Sequence, residues 1–248
     1  MYSLVYILGF ILAAAVRTEK FSYYERSFSY ALYVSTYAAI GAIAGGRLGY
    51  VLCYEPAYYF SHLSEIIQLY RGGMSFYGGF LGLVLTVYFV DRKGFWHNLD
   101  HIAVLACIVL PLGRLANFWN GELWGTPTDV SWGMIFAGAD NQTRHPVQLY
   151  EAVLEGPLLY LVITAGRFFL GRLERFTDLS GATAVLFAYF YGIFRFSAEF
   201  FREPDRVVGY VFLNFTLGHV LSAVLSIVMT AIFCRRFMSQ YFNQPSAV

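Results

Sequence analysis

Three arginines, Arg47, Arg114 and Arg195, stand inside stretches of this chain that are otherwise almost wholly apolar. Each has polar neighbours at helical spacing. Arg114 leads the run Gly113-Arg114-Leu115-Ala116-Asn117-Phe118-Trp119-Asn120-Gly121-Glu122-Leu123-Trp124-Gly125, in which Arg114 and Asn117 are three apart and share a helix face. The run then turns at Gly121, so a guanidinium, an amide and the Glu122 carboxylate are presented together. Arg195, Glu199 and Arg202 recur at i, i+4 and i+7, one face again, before Pro204 stops the helix. Glu151 and Glu155, four apart, follow Arg144-His145-Pro146 and offer either counter-ions for the arginines or a second polar face in the same cavity. Arg47 lies beside Gly41, Gly45 and Gly49, a small-residue stripe that permits close helix contact. A guanidinium is charged at any relevant pH, and its planar fork matches phosphate oxygens two at a time. The plainer readings stay open beside this one: Arg47 snorkelling outward or paired with a carboxylate, and Arg195 with Glu199 as a structural ion pair.

The elements that must hold these residues are membrane helices. The chain has 248 residues, 58% hydrophobic and 13% charged, against about 25% charged in an ordinary soluble domain. With a mean hydropathy of +0.53, that excludes disorder and argues against a soluble globule. A net charge of +1 gives no electrostatic case for nucleic acid. A helix needs about 20 mostly apolar residues to cross the hydrocarbon. Seven stretches qualify: 2–16, 30–54, 74–90, 101–117, 147–166, 181–201 and 213–234. The first is short, and the third begins in a glycine-rich segment. An all-α, polytopic bundle of about seven spans is therefore expected, one integral membrane domain over 1–248. The segments after spans one, three, five and seven carry ten Lys or Arg, and those on the other side carry four. By the positive-inside rule the N-terminus lies outside and the C-terminus in the cytoplasm. Residues 119–146, rich in glycine and introduced by Trp119, Trp124 and Trp132, read as a small extracytoplasmic head or lid. The glycines of 72–82 and 121–138 are candidates for mobility.

The motifs resemble the bacterial prolipoprotein diacylglyceryl transferase family. Gly113–Gly125 is similar to the family signature G-R-x-x-N-F-x-N-G-E-x-W-G in full. Arg144 to Glu151 resembles R-H-P-x-Q-L-Y-E, and Phe194 to Asp205 resembles F-R-x-x-x-E-x-x-R-x-P-D. Gly45–Tyr50 and Gly72-Gly73-Met74-Ser75-Phe76 match two further family stretches, all in order along nearly the whole chain. The resemblance implies transfer of the diacylglyceryl group of phosphatidylglycerol to the lipobox cysteine thiol of a preprolipoprotein. A thioether forms and glycerol phosphate leaves. It implies partners in phosphatidylglycerol, the lipobox segment and membrane lipids, no cofactor or metal, and a multi-pass place in the bacterial inner membrane. It assigns Arg114 and Arg195 to the phosphate and Glu199 to orienting Arg195. Asn117, Asn120, Glu122 and Gly125 shape the head-group pocket. Tyr2, Arg47, His145 and Glu151 complete the substrate contacts.

Two departures bear on this. Tyr77 stands where the family usually has His, the group that would deprotonate the incoming thiol. A tyrosine with an ordinary pKa of about 10 is a poor base at neutral pH unless neighbouring cations lower it. Tyr77 is thus either an activated base or a lipid contact, and the alternative is a catalytically impaired relative that binds phospholipid or precursor. Family members also usually carry an extra N-terminal stretch. The remaining histidines and the three cysteines show no metal-ligand spacing beyond His97 and His101, which stand beside Asp91 and Asp100 as an interfacial polar cluster. A cleavable signal peptide is not expected, because the first positive charge, Arg17, follows the apolar run.

Overall fold

The computed structural model describes residues 28–240 apart from 174, 175, 177, 206 and 207, and only the backbone of Phe28 and Arg71. The expected first span and Tyr2 lie outside the described residues. The rest is almost all helix: α1 (Phe28–Cys53), a short α2 (Pro56–Ser61), α3 (Phe76–Val90), α4 (Phe95–Trp119), α5 (Val147–Arg172), α6 (Ala182–Glu199) and α7 (Leu217–Met238). A two-stranded antiparallel hairpin, β1 (Tyr210–Phe212) and β2 (Phe215–Thr216), precedes α7. The apolar run from 213 therefore opens as the turn and second strand of a hairpin, with Leu213 at φ +50°, and only then becomes helix.

Three of these helices, α4, α5 and α7, are long and apolar enough to cross a membrane. The other candidates are shorter or more polar. Helix α3 has 15 residues, α6 has 18 and ends in the Arg195 and Glu199 region, and α1 contains Arg47 with Tyr30, Tyr33, Tyr37 and Tyr50.

The glycine stripe decides how α1 meets α3. A Cβ on Gly45 would lie 2.8 Å from Gly82 Cα, and one on Gly49 would lie 2.8 Å from Gly78 Cα. Backbones pack on backbones here, which only paired glycines permit. The glycines at 78 and 82 thus serve packing rather than motion. Ser75 caps α3 by accepting from Gly78 N, while its own amide donates to Gly46 O at 2.9 Å. Gly45→Leu is expected to push the pair apart and cost about 1–3 kcal/mol. The midpoint of thermal unfolding in detergent measures this, and an unchanged midpoint refutes the close-approach account.

The main core joins α4, α5, α6 and α7 through Cys107, Leu159, Ile163, Phe187, Tyr191 and Leu225, with Phe76 and Phe80 of α3 against it. Helix α5 is broken by a π turn at Leu154–Leu158 that contains Pro157. Gly156 in that turn sits against Pro111 of α4, where a Cβ would come within 2.8 Å of Pro111 Cγ. The turn lets α5 approach α4 closely just where both carry charge, a usual place for a π bulge.

Candidate active site

Three helices bring charge to one place inside the bundle. Helix α4 supplies Arg114, the first turns of α5 supply Glu151 and Glu155, and the end of α6 supplies Arg195 and Glu199 with Arg202 just beyond. The start of α7 closes the group. Glu151 is 0% exposed and receives three guanidinium groups. Arg114 Nη1 and Arg202 Nη1 each stand 3.1 Å from it, and Arg195 Nη1 contacts it directly. Glu155 takes Arg114 in a two-point grip, Nε and Nη2 each donating at 2.8 Å. Arg195 Nη2 lies 2.7 Å from Glu199 Oε2. Glu151 Oε2 and Glu199 Oε2 are held by charge at short range and lie off the hydrogen-bonding line of their arginines.

The count explains how such a cluster tolerates an apolar bundle. Three arginines face three carboxylates, so the group is formally neutral. A lone buried arginine is costly, and a fully paired one far less so. Pairing leaves the guanidinium forks oriented in a water-poor site, which is the arrangement that stabilises a developing anion without reorganisation.

Two tyrosines border the cluster. Tyr191 of α6 is fully buried, stacks on Phe76 at 4.5 Å, and has a hydroxyl without a hydrogen-bond partner among the described residues. Tyr77 of α3 turns its hydroxyl to Ser222 Oγ on α7, with Gly218 O at 3.5 Å. Glu199 Oε1 accepts from Thr216 Oγ1 at 2.8 Å.

The rest of the signature builds the segment that follows α4. Asn117 is buried, and its carbonyl accepts from Glu122 N at 2.9 Å. The Glu122 carbonyl accepts from Gln148 Nε2 at 2.6 Å, while its side chain and that of Asn120 are exposed. Gly125 is clamped between Phe201 and His145: its amide donates to His145 O at 3.0 Å, and a Cβ there would lie 2.7 Å from His145 Cβ. Arg144 fastens the segment by gripping both Asp140 oxygens at 3.0 Å, Glu203 at 2.7 Å and the Gly125 carbonyl at 2.9 Å. The Arg144 hydrogen bonds hold the Asp140 carboxyl below its ordinary pKa. Trp132 Nε1 donates to the Tyr150 hydroxyl at 2.7 Å, and that hydroxyl lies 3.2 Å from His145 Nδ1. These links tie the segment between α4 and α5 to the start of α5 and to the residues just after α6.

Of the residues expected from sequence, Arg114, Arg195, Glu199 and Glu151 meet in the ion cluster. Tyr77 lies at its α7 side, and Gly125 and His145 lie in the segment between α4 and α5. Asn117 stands between the two, and Asn120 and Glu122 mark the exposed end of α4. Arg47 is elsewhere engaged. It is 3% exposed, and its three guanidinium nitrogens donate to backbone carbonyls of Glu65, Ile66, Gly72 and Gly73 at 2.6–3.1 Å. Its geometry is that of a clamp on the 55–73 segment, with no guanidinium nitrogen left over for a phosphate.

Spacing alone puts Glu155 and Arg202 on the correct faces without giving either a role toward substrate. Tyr191, a tyrosine within an apolar run, carries no signal of its own. Thr216, His219 and Ser222 had only a faint signal, a Thr-x-x-His run opening an apolar helix. Among the described residues no cluster of His, Cys, Asp or Glu could hold a metal ion.

With this geometry in view, comparison with known proteins gives one answer. The family model described as prolipoprotein diacylglyceryl transferase matches residues 1–235. The phosphatidylglycerol--prolipoprotein diacylglyceryl transferase of Geobacter sulfurreducens is 44% identical over 246 residues, covering 95% of this chain and 91% of that protein. The Rickettsia akari protein of the same name is 42% identical over 240 residues, covering 94% and 91%. That of Rickettsia canadensis is 41% identical over the same length and shares.

Proposed function

This chain belongs to the prolipoprotein diacylglyceryl transferase family, and on that premise we propose how its residues carry the reaction. The enzyme transfers a diacylglyceryl group from phosphatidylglycerol to a prolipoprotein. The thiolate of the lipobox cysteine attacks the glyceryl carbon that bears the phosphate. The carbon–oxygen bond breaks, a thioether forms, and glycerol phosphate departs with the bonding electrons. The nucleophile comes from the substrate, so the protein's work is to orient and to stabilise charge, and the thiol's proton leaves with the glycerol phosphate.

The observation that carries this reading is the buried meeting of Arg114, Arg195 and Arg202 on Glu151. Phosphate oxygens can take the place of the Glu151 carboxylate on the Arg195 and Arg202 forks, because a carboxylate and a phosphodiester each offer a guanidinium fork two oxygens that share one negative charge. Arg114, fixed by Glu155, keeps Glu151 from moving far. As the carbon–oxygen bond breaks, negative charge grows on the phosphate, and the guanidinium groups are already in place to meet it. Asn117, Glu122 and Gly125 form the floor of the head-group pocket, with Asn120 and His145 at its rim.

In this reading the head over 119–146 and the N-terminus lie outside. The cavity then opens at the outer leaflet, where the precursor's membrane segment delivers its cysteine. The seven-span arrangement in the bacterial inner membrane is supported by three helices of spanning length and apolarity together with the charge bias of the loops.

Tyr77 hydrogen-bonds Ser222 beside the cluster. In this reading it orients the thiol or lipid there. Tyr77→Phe is expected to lower turnover roughly tenfold, the scale of one orienting hydrogen bond worth about 1.4 kcal/mol. Full activity in that variant removes Tyr77 from the catalytic set.

Purified protein, phosphatidylglycerol and a lipobox peptide provide the test, with mass spectrometry to detect the thioether. Product is expected with the natural chain and not with Arg114→Ala or Arg195→Ala. Equal product in all three overturns the assignment of the site.

A further inference from the structure

Helix α7 begins with a reciprocal cap. Thr216 Oγ1 accepts from His219 N at 3.4 Å, and Thr216 N donates to His219 Nδ1 at 3.2 Å. This is a capping box, in which the third helical residue is ordinarily Glu or Gln. Here it is His219, which is 2% exposed and set among Phe196, Phe200 and Phe215 at 5.0, 4.6 and 5.2 Å between ring centres.

The pattern of donors orders the whole group. Nδ1 accepts a backbone N–H, so it carries no proton, and the ring is neutral with its hydrogen on Nε2. Nε2 has no hydrogen-bond partner among the described residues. Because the amide of Thr216 serves Nδ1, the single hydroxyl hydrogen of Thr216 is left for Glu199 Oε1, 2.8 Å away. The other Glu199 oxygen faces Arg195 Nη2 at 2.7 Å. The carboxylate lies flat against the first turn of α7, where a Cβ on Gly218 would come within 2.8 Å of Glu199 Oε2. The Glu199 carboxylate is thereby held between a cap on one side and a guanidinium on the other.

We propose that His219 is a positioning residue for the transfer reaction: through the Thr216 hydroxyl it sets the Glu199 carboxylate, and through Glu199 it aims Arg195. The proposal rests on the function given above. Nothing in it uses imidazole acid–base chemistry. The ring's task is to accept one backbone hydrogen bond and to fill the space among three phenylalanines.

The test compares His219→Ala, His219→Gln, Thr216→Val and the double variant His219→Ala with Thr216→Val in the full chain, by kcat and KM for phosphatidylglycerol with a lipobox peptide. His219→Ala and Thr216→Val should each lower kcat about tenfold with KM moving less than about threefold, the mark of an interaction used in the transition state. The double variant should be no worse than the weaker single, since the two act in one series. Glutamine closes the same capping box, so His219→Gln should recover most of what His219→Ala loses. If His219→Gln is as poor as His219→Ala, the proposal is overturned in favour of imidazole chemistry. Additive losses, or full activity in His219→Ala, also overturn it.

A second readout needs no turnover. The side-chain Nε–H signal of Arg195 in a ¹⁵N-arginine sample, assigned by its loss in Arg195→Lys, should shift in His219→Ala and Thr216→Val and return in His219→Gln. An unmoved signal overturns the relay. A natural chain that makes no product, with the Arg195 signal moving as described, contradicts the assigned function and leaves the relay standing.

Discussion

Glu151→Ala should lower the yield and the unfolding midpoint of the protein more than any other single change in the site. The residue is wholly buried and is the common counter-charge of Arg114, Arg195 and Arg202. Its loss leaves three guanidinium groups facing two carboxylates. Arg114 retains Glu155 and Arg195 retains Glu199, but Arg202 keeps no counter-ion among the described residues. Breaking a buried ion pair from one side costs about 3–5 kcal/mol, because the remaining charge is stranded in low dielectric. That is a large part of the stability of an ordinary domain, about 5–15 kcal/mol. Glu151→Gln keeps the shape and one acceptor oxygen and should fall between the two. Thermal unfolding in detergent and the fraction of monodisperse protein after purification measure both. A stable Glu151→Ala variant would mean that the arginines find solvent or lipid phosphate instead, and that the cluster is not sealed.

Arg195→Ala should cost the fold less than Glu151→Ala, since it strands one carboxylate, Glu199, that keeps a hydroxyl donor, and it should cost transfer far more than the fold. Glu151 still has Arg114 and Arg202, and Glu199 still has the Thr216 hydroxyl. On the proposed function, what disappears is a fixed cation aimed at the departing phosphate. The removal of one preorganised donor to a developing anion typically lowers turnover by about 10²–10³, or about 2.7–4 kcal/mol. Arg195→Lys should recover little of this. An ammonium is a point charge that cannot touch Glu151, Glu199 and a phosphate in one plane, as the guanidinium fork does. The decisive measurement is kcat alongside the unfolding midpoint for both variants. Turnover that falls only as far as the midpoint predicts would assign Arg195 to structure alone.

Much of this protein was legible one residue at a time. Scarce charge in an apolar chain marked which arginines needed an explanation, because each such residue has to be paired or used. Helical spacing put Arg195, Glu199 and Arg202 on one face and Glu151 with Glu155 on another, and the chain does meet itself on those faces. The glycine stripe of α1 announced a close helix partner, and α3 supplies matching glycines. These are local properties, set by backbone geometry and by side-chain type.

Which arginine serves which purpose was decided only by tertiary structure. Arg47 and Arg114 look alike in sequence, each beside glycine in an apolar run. One is met by the carbonyls of a returning loop 18–26 residues away, the other by a carboxylate 41 residues away. No local spacing encodes that difference, since the partner of a buried charge is whatever the packing brings to it. The start of α7 is the same kind of case. Leu213, Phe215 and Leu217 are equally apolar in a strand, a turn or a helix, so hydropathy runs the 213–234 span straight through them. The backbone turns at Leu213, and the helix begins only where Thr216 can cap it. That start brings Thr216, with His219 against it, to Glu199 and Ser222 to Tyr77, contacts that exist only because a hairpin sets where α7 begins.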